Sequence, residues 1–266
     1  MKRSRPPLKL HKSPLVLVLA QVRISHVAKM GDYVDDVQER LRRSGFPRFE
    51  EGRGHEILLH PGLQPEIREH SRWEFQNKER SAGIIVMQNA IVLHANSYDT
   101  FDHFAKSLRL ALEVIGDAAK PALVERLGLR YVDLIRPDAG ESWTDYLKPG
   151  LHGLTPSAIG MTEGLQRHET VGATKVGQLV VRCVQSTDGG FLPADLSPTT
   201  LDYAKLTVRQ GELVTLLDFD HFTQVTRDYD VDQVMTAMWE LHENLDVTFR
   251  EATTDLAMKK WGAQSL

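Results

Sequence analysis

The sequence contains little cysteine and no long apolar run, and both shortages narrow the class of protein. A single cysteine, Cys183, among 266 residues excludes an intramolecular disulfide framework and a multi-cysteine zinc site. No stretch reaches the roughly 18–20 apolar residues that a membrane-spanning helix needs. The apolar run after the basic N-terminus is short and continues into Gln21 and Arg23 without a small-residue cleavage site, unlike a signal peptide. We therefore predict a cytosolic protein.

Motifs that identify common enzyme classes are also missing from the sequence. There is no G-x-G-x-x-G, no lysine-bearing phosphate loop, no G-x-S-x-G and no H-E-x-x-H. Cys183 lies in a valine-rich strand, which is typical of a small buried side chain rather than of a nucleophile. No cofactor is therefore predicted, apart from the divalent metal considered below.

The charge balance argues against bulk electrostatic binding of nucleic acid. The formal net charge is −4, so the chain as a whole does not attract a phosphate backbone. Basic residues of the N-terminal arm and of the first helix are compatible with a local positive patch. Aromatic residues make up 7% of the chain and are not interleaved with the basic segments, so the pattern does not indicate stacking on single strands.

Hydrophobic periodicity predicts an α+β protein in which antiparallel sheets are covered by helices on one face. Hydrophobic residues make up 41% of the chain, enough for a sizeable core. Apolar stripes at spacings of three and four predict helices, and short alternating runs between turn residues predict strands. The expected helices lie at 33–44, 101–115, 143–147, from 230 onward and at 254–261. The expected strands lie at 15–25, 55–60, 72–78, 82–88, 90–96, 124–135, 165–174, 178–186, 201–209 and 212–219.

The predicted elements follow a similar order in the two halves of the chain. Each half runs strand, helix, several antiparallel strands, helix, and Val22-Arg23-Ile24 resembles Leu129-Arg130-Tyr131. This order favours an internal duplication, although strand–helix alternation also produces such likeness by chance. We predict a basic N-terminal arm at 1–13, a first α+β lobe at 14–120 and a second at 121–266.

Three segments of the chain resemble a known family. They are "ERLGLRYVDLI" after an amphipathic helix, "LLDFDHF", and "LHENLDVTFREATTDLAMKKWG". Together they look like a sporadically distributed, uncharacterised family of bacterial cytosolic proteins of about this length, and the resemblance covers residues 15–261. It implies no assigned activity. The accessory or defence-associated setting of some members implies an interaction or regulatory role.

The central strand carries arginines around a glycine on one side. Arg126, Gly128 and Arg130 alternate with Leu127, Leu129 and Tyr131. Glycine permits close approach of a phosphate, and arginine offers paired donors, so the strand is a candidate anion or nucleic-acid site. The alternative is pairing with acidic residues of neighbouring elements or of a partner protein. Arg23 in the first strand and Arg182 in the strand at 178–186 are further candidates for the same surface.

Asp218, Asp220 and His221 form the strongest candidate for metal chemistry. Two carboxylates two residues apart in a strand share a face, and with an imidazole they suit Mg²⁺ or Mn²⁺. His242 and Glu243 are possible additional ligands. However, His242 lies on the apolar stripe of its helix, where a hydrogen-bonded core histidine is the simpler interpretation. Acidic residues near strand ends also serve as caps.

Three functional hypotheses follow from these patterns. The preferred one is a non-enzymatic interaction or regulatory protein with a protein partner or a second copy of itself, such as an antitoxin-like or defence-associated component. The first alternative is a protein that binds or processes RNA or DNA between its two lobes, an analogy from architecture only. The second is a divalent-metal-dependent hydrolase that uses the acidic cluster. No membrane partner is expected.

Overall fold

The computed structural model describes residues 8–58, 66–154, 156–160, 166–186, 201, 212 and 214–265. Ten strands in this part of the chain form one sheet, and all pairs are antiparallel. They are β2 (Leu15–Ile24), β3 (Arg48–Leu58), β4 (Glu66–Gln76), β5 (Ala82–Met87), β6 (Ala90–Ala95), β7 (Leu123–Ile135), β8 (Gln166–Ala173), β9 (Gln178–Ser186), β10 (Val214–Thr223) and β11 (Arg227–Asp228). The order across the sheet is β3-β4-β5-β6-β2-β7-β10-β9-β8, and β11 pairs with β7.

Helices cover one face of the sheet, so the fold is α+β as predicted. The five helices of the described residues are α1 (Val34–Arg43), α2 (Phe101–Ala119), α3 (Trp143–Tyr146), α4 (Val231–Ala252) and α5 (Asp255–Lys260). The apolar stripes of α1, α2 and α4 pack on strand residues such as Leu127 and Leu129 to form the main core. We call this the helix face. The arginine face is the other side, which carries Arg126, Gly128 and Arg130.

The two halves of the chain meet at the centre of the sheet. Strand β2 from the first half pairs with β7 from the second, and Ala20 lies opposite Leu129. In the first half β6 and then β5 lie outside β2. In the second half β10 and then β9 lie outside β7. The predicted lobes therefore contribute to one continuous sheet. The similar strand order does not establish an internal duplication, which stays a prediction.

The start of the chain pairs with its end. Residues Leu8–Leu10 form β1, which pairs with β12 (Ala263–Ser265) in a separate two-stranded sheet. The backbone N–H of Lys12 donates to the carbonyl of Trp261 at 2.9 Å. Residues 8–13 of the predicted basic arm are thus attached to the body of the protein, whereas residues 1–7 lie outside the described part. We call β1 and β12 the terminal strap.

Some boundaries differ from the sequence-based prediction. Gly116 was expected to end α2, but the helix continues to Ala119 and ends at Lys120, which adopts a left-handed conformation (φ 45°). Gly116 instead makes room for Tyr229, because a Cβ there would lie 2.9 Å from the Tyr229 ring. The strand expected at 55–60 begins at Arg48 as part of β3. The predicted strand at 201–209 lies almost entirely outside the described residues.

No helix in the described part of the chain is long and apolar enough to cross a membrane.

Candidate ligand-binding pocket

The predicted arginine site is largely an internal ion-pair network. Arg130 donates from Nε and Nη2 to the two carboxylate oxygens of Asp218, both at 2.7 Å. Arg182 donates to the same carboxylate at 3.0 Å and also pairs with Glu169. Asp218 is fully buried and the Arg130 side chain is 7% exposed, so this is a buried pair with good geometry. The salt-bridge alternative therefore describes Arg130 and Arg182.

The other two arginine candidates lie together at one end of the β2–β7 pair. Arg23 is directly opposite Arg126, rather than opposite Arg130. Arg126 donates to Gln21 at 2.7 Å, and its guanidinium lies 4.5 Å from the centroid of the Phe222 ring. Burial lowers the pKa of Arg126, and nearby Asp220 opposes that shift. This end of the arginine face therefore combines two arginines with the nearby carboxyl group of Asp220.

The three metal candidates do not converge on one point. Asp218 and Asp220 share the arginine face, where Asp218 is already bound by two arginines. His221 lies on the helix face, where its ring nitrogens contact the Thr174 hydroxyl at 2.9 Å and the Leu241 carbonyl at 3.2 Å. Within the described residues, no group of three or more His, Cys, Asp or Glu side chains could hold a metal ion. The geometry therefore does not support the predicted cluster.

Cys183 is buried among core side chains, as its valine-rich strand indicates. It is 1% exposed, and burial raises the pKa of its thiol to about 12. A thiol that stays protonated at neutral pH is a poor nucleophile.

A pocket with a cavity volume of about 110 Å³ lies on the helix face beside the terminal strap. Its floor includes Tyr131 and Asp133 of β7 and Phe219 of β10, and its sides come from the start of α2 and the middle of α4. Leu8 and Leu10 of β1 also line it. The pocket is therefore lined by segments that are far apart in the sequence, including the N-terminal strand.

Aromatic side chains form a large part of the pocket wall, seven of its nineteen lining residues when His242 is counted. Phe101, at the first position of α2, stacks on the His242 ring with centroids 4.1 Å apart. Trp239, one turn before His242 in α4, meets Phe101 edge-on at 4.6 Å. Tyr98 and Tyr131 make a second edge-on pair at 5.6 Å. Such contacts hold the rings in fixed orientations, so the pocket is preformed.

A chain of hydrogen bonds runs along one side of the pocket. The Tyr98 and Tyr131 hydroxyls are 3.2 Å apart, and the Tyr131 hydroxyl is 3.0 Å from Nδ1 of His242. Burial raises the pKa of both tyrosines, and the nearby carboxylate of Asp246 adds to the shift. Both hydroxyls therefore remain protonated at neutral pH. The predicted core histidine, His242, is a polar member of the pocket wall.

Asp133 is the unusual group of this site. Its residue is 3% exposed and lines the pocket, yet no described residue forms a hydrogen bond or ion pair with its carboxyl group. Burial, with a smaller contribution from Asp218, raises the pKa of Asp133 to about 8. A buried carboxyl group without a partner is costly unless something neutralises it. Here a proton does so when the pocket is empty.

Carboxyl groups outnumber basic groups in the pocket lining. The described lining residues include no lysine or arginine. Ion pairs at the rim engage two of the acids, because Lys9 is 2.6 Å from Asp99 and Arg250 is 2.9 Å from Asp246. The described lining therefore carries an excess of acidic side chains. The acidic lining residues are Asp99, Asp102, Asp133, Glu243 and Asp246.

Sequence reasoning missed this pocket, although one sign of it was present. Leu129, Tyr131, Asp133 and Ile135 alternate on the apolar side of β7, so Asp133 is an acid at a position where the pattern requires an apolar residue. The apolar stripe of α4 contains His242 in the same way. Neither position indicates that Phe101 and the N-terminal strand complete the same cavity, because those contacts are long-range.

Comparison with known proteins identifies no family. No family model matches the chain, and no curated protein shows significant similarity to it. The resemblance to an uncharacterised bacterial family therefore stays a prediction from the three segments that suggested it.

Proposed function

We propose that this chain is a regulatory protein whose interaction with a partner depends on a small molecule bound in the pocket beside the terminal strap. One observation carries the proposal: β1 contributes to the lining of an aromatic cavity on the helix face, and β1 is fixed in place by pairing with the other end of the chain. Preformed apolar pockets with a few polar groups are the usual small-molecule sites of proteins.

The terminal strap couples ligand binding in the pocket to a feature on the protein surface. Leu8 and Leu10 line the cavity, and the Lys9 between them reaches Asp99 at the pocket rim. A bound ligand adds contacts to both leucines, so it favours the paired state of β1 and β12 over the open state. A partner that recognises the paired strap would then bind only the ligand-loaded protein.

A thermal-shift screen tests whether the pocket takes a ligand. The probes are fragments of about five to ten non-hydrogen atoms, in equal numbers of cations, anions and neutral molecules. At least one is expected to raise the Tm of the wild-type protein but not of Leu10→Trp, because an indole at position 10 fills the cavity from the strap. Val225→Trp is the matched control, since Val225 is exposed and away from the pocket lining.

Hydrogen exchange tests the proposed coupling of the pocket to the strap. A fragment that binds is expected to slow amide exchange in residues 8–10 and 263–265 by at least threefold, with no change in β3. A screen without binders would overturn the proposal. Binding without added protection at the strap would leave a ligand site but remove the regulatory mechanism.

That the protein has a partner, that it is cytosolic, and that it belongs to a bacterial, defence-associated setting are likewise parts of this proposal. The expectation of a protein partner comes from the sequence analysis, which favours an interaction protein.

The nucleic-acid alternative has less support, because Arg130 and Arg182 are bound to Asp218. A salt-dependent gel shift with single-stranded RNA, repeated with Arg23→Ala and Arg126→Ala, tests what remains of it. The hydrolase alternative loses its ligand set, since His221 lies on the other face of the sheet.

A further inference from the structure

We propose that the pocket beside the terminal strap binds an organic ammonium ion with small apolar substituents, and that the carboxyl group of Asp133 is its counter-ion. This inference rests on the proposed function and names its ligand class. It follows from three features of the described residues: an acid without a partner, a wall of aromatic rings, and an excess of carboxyl groups over basic groups.

Asp133 supplies the first argument. A buried carboxyl group is normally bound by arginine, lysine or several donors, as Asp218 is on the other face of the same sheet. Asp133 has no such partner among the described residues, and it lines an open cavity. A cation in that cavity would supply the missing charge. An anionic ligand would be repelled by the ionised carboxyl group, and a neutral ligand would leave Asp133 dependent on its own proton.

The aromatic wall supplies the second argument. Ring faces carry partial negative charge and attract cations within about 6 Å of the centroid, and desolvation strengthens this attraction. Tyr98, Phe101, Tyr131 and Trp239 all line the cavity, and their mutual contacts fix the rings in place. Aromatic sites suit methylated ammonium groups, which are more weakly hydrated than a primary ammonium ion.

The size of the cavity limits the substituents. Its volume of about 110 Å³ is somewhat below the ~150 Å³ of an engineered apolar cavity that takes up benzene. A methylated or short-chain ammonium group fits this space, and a longer polar tail can extend toward the rim. Large aromatic amines do not fit without movement of the strap.

One feature of the site favours anions, and it is outweighed. The start of α2 reaches the pocket, and a helix N-terminus carries a partial positive charge of about half a unit. Thr100 already caps this end by accepting from the His103 N–H, and Asp102 lies in the first turn. Two full negative charges, from Glu243 and the ionised form of Asp133, exceed what remains of the helix dipole.

Calorimetry with a matched pair of ligands tests the inference. Choline and 3,3-dimethylbutan-1-ol have nearly the same shape, but the first has a positively charged nitrogen where the second has carbon. The wild-type protein is expected to bind choline at least tenfold more tightly than the alcohol. Asp133→Asn is expected to reduce this preference to threefold or less without lowering the affinity for the alcohol. Asp36→Asn, the same change at an exposed position of α1, should keep the full preference.

The outcomes separate the inference from the proposed function. Equal binding of choline and the alcohol would overturn the ammonium assignment and leave a ligand pocket in place. Binding of neither would also overturn it, and the fragment screen would then decide the proposed function alone. A preference for choline that persists in Asp133→Asn would remove Asp133 as the counter-ion. If Asp133→Asn fails to fold, Trp239→Leu provides the second test, with an expected loss of at least fivefold for choline only.

The pH dependence of choline binding gives an independent readout. Choline does not titrate, so its affinity should rise with pH between 6 and 9 as Asp133 gives up its proton, and should do so less in Asp133→Asn. Any contribution from the other groups persists in that variant, so the difference between the two proteins reports on Asp133. If the difference in choline affinity between the wild-type protein and Asp133→Asn does not change with pH, Asp133 is not the titrating counter-ion. The other groups are Lys9, Tyr98, Asp99, Asp102, Tyr131, Asp218, His242, Glu243 and Asp246.

Discussion

Two buried aspartates on neighbouring strands have opposite environments. Asp218 of β10 points to the arginine face, where it is bound by Arg130 and Arg182. Asp133 of β7 lies on the helix face, where no described residue bonds to it and burial raises its pKa to about 8. An aspartate side chain is therefore part of an internal ion-pair network at one position and open to a ligand at the other, and the difference is set by the neighbouring side chains.

The buried pair makes Asp218 important for stability. Asp218→Asn leaves the guanidinium groups of Arg130 and Arg182 without their shared charge, and we expect a loss of about 3–5 kcal/mol in the free energy of unfolding. Glu169→Gln is the matched control. The Glu169 side chain is 42% exposed, so the loss there should be below about 1 kcal/mol. Urea denaturation measures both, and similar losses for the two variants would contradict the assignment.

Asp133 should make the protein less stable as pH rises. Its folded pKa of about 8 lies above the ordinary value of 3.8. Between these two values the folded state holds a proton that the unfolded state has lost. The free energy of unfolding therefore falls as pH increases, by at most about 1.4 kcal/mol per unit, and levels off above pH 8.

Asp133→Asn removes this dependence. Urea unfolding of both proteins at pH 5 to 9 should show the variant gaining stability relative to wild type up to about pH 8. A stability difference that is constant with pH would show that Asp133 is not the buried acid described here.

At the scale of elements, the strands of the first half show how tightly the arginine face is packed. Glu74 of β4 and His94 of β6 are both buried, and their side chains meet at 3.0 Å across β5. This contact passes over Gly83 of β5, where a Cβ would lie 2.6 Å from Nε2 of His94 and 3.2 Å from Oε1 of Glu74. The absence of a side chain at Gly83 therefore permits the pair.

Gly83→Ala should destabilise the protein by about 1–3 kcal/mol, because the added methyl group displaces two buried polar side chains. Gly52→Ala in β3 provides the control. Nothing lies within 4 Å of a Cβ at Gly52, so its effect should stay within about 0.5 kcal/mol. Chemical denaturation of both variants measures the difference. Equal effects would mean that the packing of His94 against Gly83 does not limit stability.

At the scale of the whole molecule, the continuous sheet predicts a single unfolding transition. Because β2 and β7 pair along most of their lengths at the sheet centre, neither half can open without exposing the apolar positions of the other. Three of the four tryptophans lie after residue 120, so the fluorescence of Trp73→Phe follows the second half alone. Its midpoint in urea should coincide with that from far-UV circular dichroism. Two separate midpoints would indicate independent lobes.

Local pattern was enough to predict most elements. The stripe of α4, its start near residue 230 and the alternation of β7 each arise from neighbours in sequence, and all are present in the structure. The same local reasoning placed the end of α2 too early at Gly116. Glycine commonly ends helices, but here it accommodates the ring of Tyr229, which is 113 positions away by residue number.

The sequence by itself determined the α+β class, the helix and strand order, the arginine alternation on β7 and the burial of Cys183, because these depend on periodicity and side-chain polarity. Only the tertiary structure decided the rest. It placed Asp218 between two arginines, His221 on the opposite face, and Asp133 in an aromatic pocket beside the N-terminal strand, with no partner among the described residues. Each of these outcomes depends on strand register and on contacts between distant segments, which no local pattern encodes.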